Sequence, residues 1–171
     1  DVAIPSVSGL LSKKNAFLLL SWISNFNSGK LRFPDRFWAC LKEGSWLRVT
    51  MNGSTSYKPP SQSFFPVKSW GNIFQDRLLA VDIPLIDLSF YGNEILEYEE
   101  ELNEIGVISN YQKACEYIGE SLMSLATSHS LTKVNALSIL RFIRHLRDQY
   151  LSPKTFIDTV NGVRWMRTSH G

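Results

Sequence analysis

The sequence predicts an α+β fold in which helices dominate, a helical repeat module with a few short strands. Three observations carry this. Apolar residues recur at spacings of three and four along 13–26, 34–42, 111–126 and from Thr132 to about Asp148, as in helices that turn one face to a core. Two tryptophan-containing runs, Ser45-Trp46-Leu47-Arg48-Val49 and Val163-Arg164-Trp165-Met166-Arg167, read as short strands. The same order of elements also occurs twice. Lys13, Asn15, Ala16, Leu20 and Ile23 return as Lys133, Asn135, Ala136, Leu140 and Ile143, and Pro34, Phe37, Trp46 and Arg48 return as Pro153, Phe156, Trp165 and Arg167. The small change of offset between the two sets is what a loop absorbs at little cost. The expected organisation is therefore a lead-in over 1–11, one full unit over 12–130, and the first third of a second unit over 131–171.

The elements follow in order. Ser12 is placed to cap the first helix, whose apolar face (Ala16, Phe17, Leu19, Leu20 and Ile23, widened by Leu18 and Trp22) is broad enough to be covered on more than one side. Pro34 suits the first turn of the second helix, where its missing N–H is no loss, and Phe37, Trp38 and Leu41 form the stripe. Asn52-Gly53 is a hairpin turn after the Trp46 strand. Tyr57-Lys58-Pro59-Pro60-Ser61 reads as a turn or polyproline segment, Phe64 and Phe65 as anchors of a long loop, and Pro84 as the mark of an edge strand or extended buried loop. Tyr91 to Asn103 reads as one amphipathic helix with Ile95, Tyr98 and Leu102 inward and Glu94, Glu97, Glu99, Glu100, Glu101 and the adjoining Glu104 outward. Ile105 to Ile108 is a strand or buried connector, and Asn110 caps a helix with Ala114, Cys115, Ile118, Leu122 and Leu125 inside. Thr132 caps the next helix, with Val134, Leu137, Leu140, Ile143 and Leu146 expected inward. Trp22, Trp38, Trp46, Phe64 and Trp70 are expected to supply much of the core area.

Composition places the 171 residues in the globular class, with 44% hydrophobic and 20% charged residues. A net charge of +2 neither requires nor excludes nucleic acid, so a basic patch would have to be local. Cys40 and Cys115 lie in apolar helical patterns, which favours reduced thiols. No signal peptide and no run of eighteen apolar residues is visible, so no membrane partner is expected. The chain opens on Asp1 and stops within its second period, so it is expected to be part of something longer.

Motifs of chemistry are sparse. There is no G-x-S-x-G elbow and no glycine-rich phosphate loop, and His129, His145 and His170 are too far apart for a short metal motif. No cofactor or metal is expected in this stretch. Asp82 and Asp87 flank an apolar run, yet Asp87 before Tyr91-Gly92 reads better as a cap for the next helix than as half of a catalytic pair. Possible partner contacts are the basic positions Arg141, Arg144, His145, Arg147 and Arg167, supported by Lys154 and Arg164, together with Glu97, Glu101 and Lys58. The ordinary alternative for each charge run is a solvated face. If units stack, the basic face of one has the right sign to meet the glutamate-rich face of another.

Some of these motifs also form a recognisable series. Lys42-Glu43-Gly44-Ser45-Trp46-Leu47-Arg48, Gly53, Tyr57-Lys58-Pro59-Pro60-Ser61, Ser63-Phe64, Trp70-Gly71, Pro84-Leu85-Ile86-Asp87, Phe90-Tyr91-Gly92 and Glu101 to Val107 resemble the repeated module of large plant proteins related to NO VEIN, distant relatives of sacsin. The resemblance spans most of residues 13–168. It implies a parent protein with a histidine-kinase/gyrase/HSP90-like ATPase domain elsewhere, chaperone-type work or a part in plant development, and a nuclear or cytoplasmic location. The nucleotide motifs of that ATPase have no counterpart in these residues, so ATP binding does not carry over. The leading expectation is a non-catalytic structural and protein-interaction segment that positions a client or partner and contacts other units of its parent, with specificity in loops 53–76. A nucleic-acid-binding module using the basic helix face is the alternative. A small hydrolase built on Asp82, Asp87 or Cys115 is a remote third.

Overall fold

The computed structural model describes residues 11–28, 34–66, 81–127, 132–148 and 158. Expectations for the lead-in, Trp70, the Pro153 helix, Lys154, the Trp165 strand with Arg164 and Arg167, and His129 and His170 lie outside the described residues. The chain forms two compact units, residues 1–66 with 83–109, and residues 67–82 with 110–171. This division by packing differs from the 130/131 boundary of the sequence period. The described part is mostly helical, with a few short antiparallel strands in an open sheet.

In the first unit, helix α1 (Lys13–Ser28) starts where the Ser12 hydroxyl accepts the Asn15 N–H at 3.3 Å. It buries Ala16, Leu20 and Ile23 completely but leaves Leu18 58% and Trp22 45% exposed. The broad face is thus covered on one side, and Trp22 is not a core tryptophan. It packs edge-on against Phe26 and Phe37 near the surface. Helix α2 (Asp35–Glu43) begins one residue later than expected. Pro34 stands just before it, its carbonyl accepting the N–H groups of Phe37 and Trp38. Leu41 is buried, while Phe37 and Trp38 are half-buried.

Strands β1 (Leu47–Met51) and β2 (Ser54–Lys58) form a hairpin across Asn52-Gly53, whose φ angles of 48° and 82° are those of the tight turn that matches strand twist. Tyr57-Lys58 is therefore strand, and only Pro60–Gln62 form a helical turn, so the expected 53–76 loop starts with regular structure. Strand β3 (Leu85–Ile86) joins the other side of β1, giving the order β2-β1-β3. The backbone of Phe64 continues the layer, bridging Leu85 on one side and Ile108 on the other. Pro84 lies beside this bridge as extended buried chain, its carbonyl accepting the Phe64 N–H at 2.8 Å. Trp46, Leu47, Val49, Phe64, Ile86 and Ile105 fill the core beneath.

The acidic segment is not one helix. Helix α3 (Leu88–Tyr91) ends at Gly92, a tight helical turn follows over Asn93–Tyr98, and helix α4 (Glu99–Glu104) completes the segment. The cause is backbone geometry. Gly92 adopts φ 80° and ψ 177°, a region open in practice to glycine alone, and no helix runs through it. The alternation survives the break: Ile95 and Leu102 are buried and Tyr98 half-buried, while every glutamate but the half-buried Glu101 is exposed.

The second unit pairs α5 (Tyr111–Thr127) with α6 (Lys133–Asp148). Asn110 caps α5 through the Lys113 N–H and Thr132 caps α6 through the Asn135 N–H, both at 3.2 Å. Ala114, Cys115, Ile118 and Leu122 are buried as expected, and Leu125 is half-buried. The inward side of α6 differs from expectation. Ser138, Ile139, Phe142 and Leu146 are buried, whereas Val134, Leu137 and Leu140 are exposed and Ile143 is half-buried.

Candidate functional site

The most connected polar group lies in the first unit. Strand β1 sets Arg48 opposite Tyr57, and the short α3 begins at Asp87. Asp87 is the expected cap. One of its oxygens accepts the Ser89 N–H at 3.0 Å, the Ser89 hydroxyl at 2.5 Å and the Phe90 N–H at 3.3 Å, and the other accepts the Arg48 Nε–H at 2.9 Å. The Arg48 guanidinium stacks 4.5 Å from the Phe90 ring, and its backbone N–H donates to the Tyr91 hydroxyl at 3.0 Å. The side chain of Asp87 is 1% exposed. Burial alone would raise its pKa, but the Ser89 hydroxyl, Arg48 and the Phe90 amide together hold it below the usual carboxylate value. An ionised carboxylate whose two oxygens accept four hydrogen bonds has a cap-and-latch role: it ties α3 to β1.

The other hydrolase candidates are placed differently. Asp82 is exposed, and Cys115 is fully buried on α5. Burial raises the Cys115 thiol to about 11, with the Tyr111 hydroxyl pulling weakly the other way, so at neutral pH it is a protonated thiol and a poor nucleophile. Cys40 is exposed on α2. With a thiol-reactive chromophore at neutral pH, one equivalent is expected to react fast from Cys40, and the second, from Cys115, only once denaturant is added. Two fast equivalents would contradict this placement.

The expected basic face divides on inspection. Arg141 and Arg144 are exposed on α6. Arg147 is exposed as well, but pairs with the adjacent Asp148 at 3.1 Å. His145 is half-buried and hydrogen-bonded to the Tyr111 hydroxyl. Burial lowers its pKa, and Asp148 opposes this only in part, so the imidazole is neutral at pH 7 and belongs to the α5–α6 packing. Lys58 ends β2, half-buried. Glu97 and Glu101 lie with Leu96, Glu99, Glu100 and Asn103 along an open depression of ≈ 510 Å³ in the first unit. Among the described residues, no group of three His, Cys, Asp or Glu side chains is arranged to hold a metal ion, and no helix is long and apolar enough to cross a membrane.

Sequence reasoning missed two arrangements. Arg48 and Asp87 are 39 residues apart on different elements, so no local pattern announces their pairing. The exposed strip on α6, Val134, Leu137 and Leu140 with Lys133, Arg141 and Arg144 alongside, was hidden because these leucines were expected to face inward. A signal for it was present: Ile139, Phe142 and Leu146 form a second apolar stripe on the same helix. In comparisons with known proteins, the chain matches no family model, no curated protein and no solved structure.

Proposed function

We propose that the chain is a non-catalytic structural and protein-interaction segment of a larger intracellular protein, one that positions a partner or client. The observation that carries this reading is the α6 strip, where Val134, Leu137 and Leu140 stand 62%, 46% and 46% exposed beside basic side chains. An apolar strip rimmed by charge on an otherwise well-covered helix is the usual make-up of a protein contact. Around it, the groups best suited to chemistry are engaged in holding the fold: Asp87 as a cap, Cys115 as a buried thiol, His145 as a packing partner. The ordered motifs shared with NO VEIN-like and sacsin-like proteins support a place beside a remote ATPase, in the nucleus or cytoplasm, with no cofactor bound in this segment.

The test is capture from cell extract by the wild-type chain, by Leu137→Asp/Leu140→Asp, and by Arg141→Glu/Arg144→Glu, each with and without nuclease. The expected result is a defined protein set, insensitive to nuclease and lost with the leucine variant. Retention by that variant would sink the reading. Recovery that disappears on nuclease treatment and with the arginine variant would replace it with the nucleic-acid alternative, whose binding must also weaken steeply with salt.

A further inference from the structure

Helices α1 and α6 are the same length, sixteen residues, and start in the same way. In each, a hydroxyl residue caps the N–H of an asparagine three positions on, and its carbonyl accepts the N–H of an alanine four positions on at 3.0 Å. Lys, Asn, Ala, Leu and Ile then coincide at a constant offset. The two helices nevertheless bury opposite sides. On α1 the buried side is Ala16, Leu20 and Ile23. Phe17 beside it lies with its ring 6.3 Å from Tyr91 and 5.8 Å from Tyr98, and Lys13 reaches Glu94 at 3.7 Å. On α6 the counterparts Leu137 and Leu140 are exposed, and Ala136 and Ile143 are half-buried. Conversely, the buried Ser138 and Phe142 of α6 correspond to Leu18 and Trp22, the exposed side of α1. One helical pattern therefore carries two apolar sides, and each is seen covered in one of its two occurrences.

We propose that the Leu137–Leu140 side of α6 is the docking site for a second unit of this same kind, linked in tandem, and that the occupant has the chemistry of residues 88–104. The proposal takes the interaction-segment reading as its setting and names its partner. That segment already covers the equivalent side of α1, with Tyr91 and Tyr98 against Phe17, and Glu94 paired with Lys13. Charge agrees with the assignment. Lys133 repeats Lys13, and Arg141 and Arg144 stand where α1 has Ser21 and Ser24, so the α6 side is the more basic of the two and suits a segment carrying six glutamates. Stacked units that share a helix in this way form a one-dimensional array in which each neighbour completes the core of the last.

The test extends the full chain. Joining a second copy of residues 53–127 after Gly171 continues the period without a gap, and hydrogen exchange is followed on α6 in the 171-residue and extended chains. Protection of α6 amides is expected to rise by about tenfold or more in the extended chain. Leu140→Asp should abolish that gain while leaving exchange in the 171-residue chain nearly unchanged. Lys133→Glu should reduce the gain, and glutamate-to-lysine replacement at the appended copy of Glu94 should restore it. Exchange on α6 that is equally fast in both chains, whether the appended unit folds or not, overturns the proposal. So does concentration-dependent dimerisation of the 171-residue chain that Leu140→Asp abolishes, which would assign this side to a separate copy. None of these measurements uses extract, so they can fail while capture by the leucine strip succeeds, and the reverse.

Discussion

Replacing Trp46 with alanine is expected to cost the first unit about 4 kcal/mol, the largest loss of any single substitution in this chain. Trp46 is fully buried and directly precedes β1. Its indole N–H donates to the Leu41 carbonyl at 2.9 Å. That carbonyl belongs to the last turn of α2 and has no partner inside the helix, so the indole satisfies a buried group as well as filling space. Two separable effects follow. Trp46→Phe keeps most of the apolar volume and loses the donor, and is expected to cost about 1–2 kcal/mol. Trp46→Ala adds a cavity to that loss. Urea denaturation followed by far-UV circular dichroism resolves the three proteins. If the alanine and phenylalanine variants unfolded at the same concentration, the hydrogen bond rather than the packing would be the main contribution.

Asp87→Ala is expected to cost about 3 kcal/mol, the second largest loss. The substitution removes the cap of α3 and leaves Arg48 without its buried carboxylate. The figure sits at the low end for a broken buried pair because the Arg48 side chain is 30% exposed and water takes up part of its charge. Asp87→Asn keeps an oxygen for the Ser89 and Phe90 N–H groups and is expected to lose roughly half as much. The pH dependence has a definite sign. The folded-state pKa of Asp87 is depressed, so its contribution is present above the ordinary carboxylate value of 3.8 and is lost as pH falls below it through the folded value. Acid titration of wild type and Asp87→Ala should therefore converge in stability at low pH and separate above about pH 4. Parallel curves at every pH would mean that the carboxylate is not the titrating group.

The parts of this fold that were legible are those in which neighbours in sequence are neighbours in space. Ser12, Asn110 and Thr132 cap the helices they precede, Asn52-Gly53 closes its hairpin, Pro84 marks extended buried chain, and Asp87 caps the turn after it. The missed features have two physical causes. One residue, Gly92, breaks a segment whose apolar spacing continues undisturbed on both sides, so periodicity alone predicted a continuous helix. On α6 the spacing supports two stripes, one through Leu137 and Leu140 and the other through Ile139, Phe142 and Leu146. Which of them faces a core depends on the neighbour, α5, which the pattern of α6 does not contain. The candidate surface was illegible for the same reason: it is the stripe left over after that choice. Arg141 and Arg144 were identified from charge alone, but the leucines that give them a context were assigned to the interior.

The bridges through Phe64 also set an order of events during synthesis. Its backbone is held on one side by Pro84 and Ile86 and on the other, through Ser63 and Phe65, by Ile108. The first unit therefore cannot close its layer until residue 108 has left the ribosome, and until then Trp46, Leu47 and Phe64 lack their final cover. The pair α5 and α6 needs only its own contiguous residues, and pairing of this local kind is fast. A nascent chain stalled between residues 66 and 108 would thus display the apolar face of the β1–β2 hairpin, the state in which this protein is most open to chaperones and to aggregation.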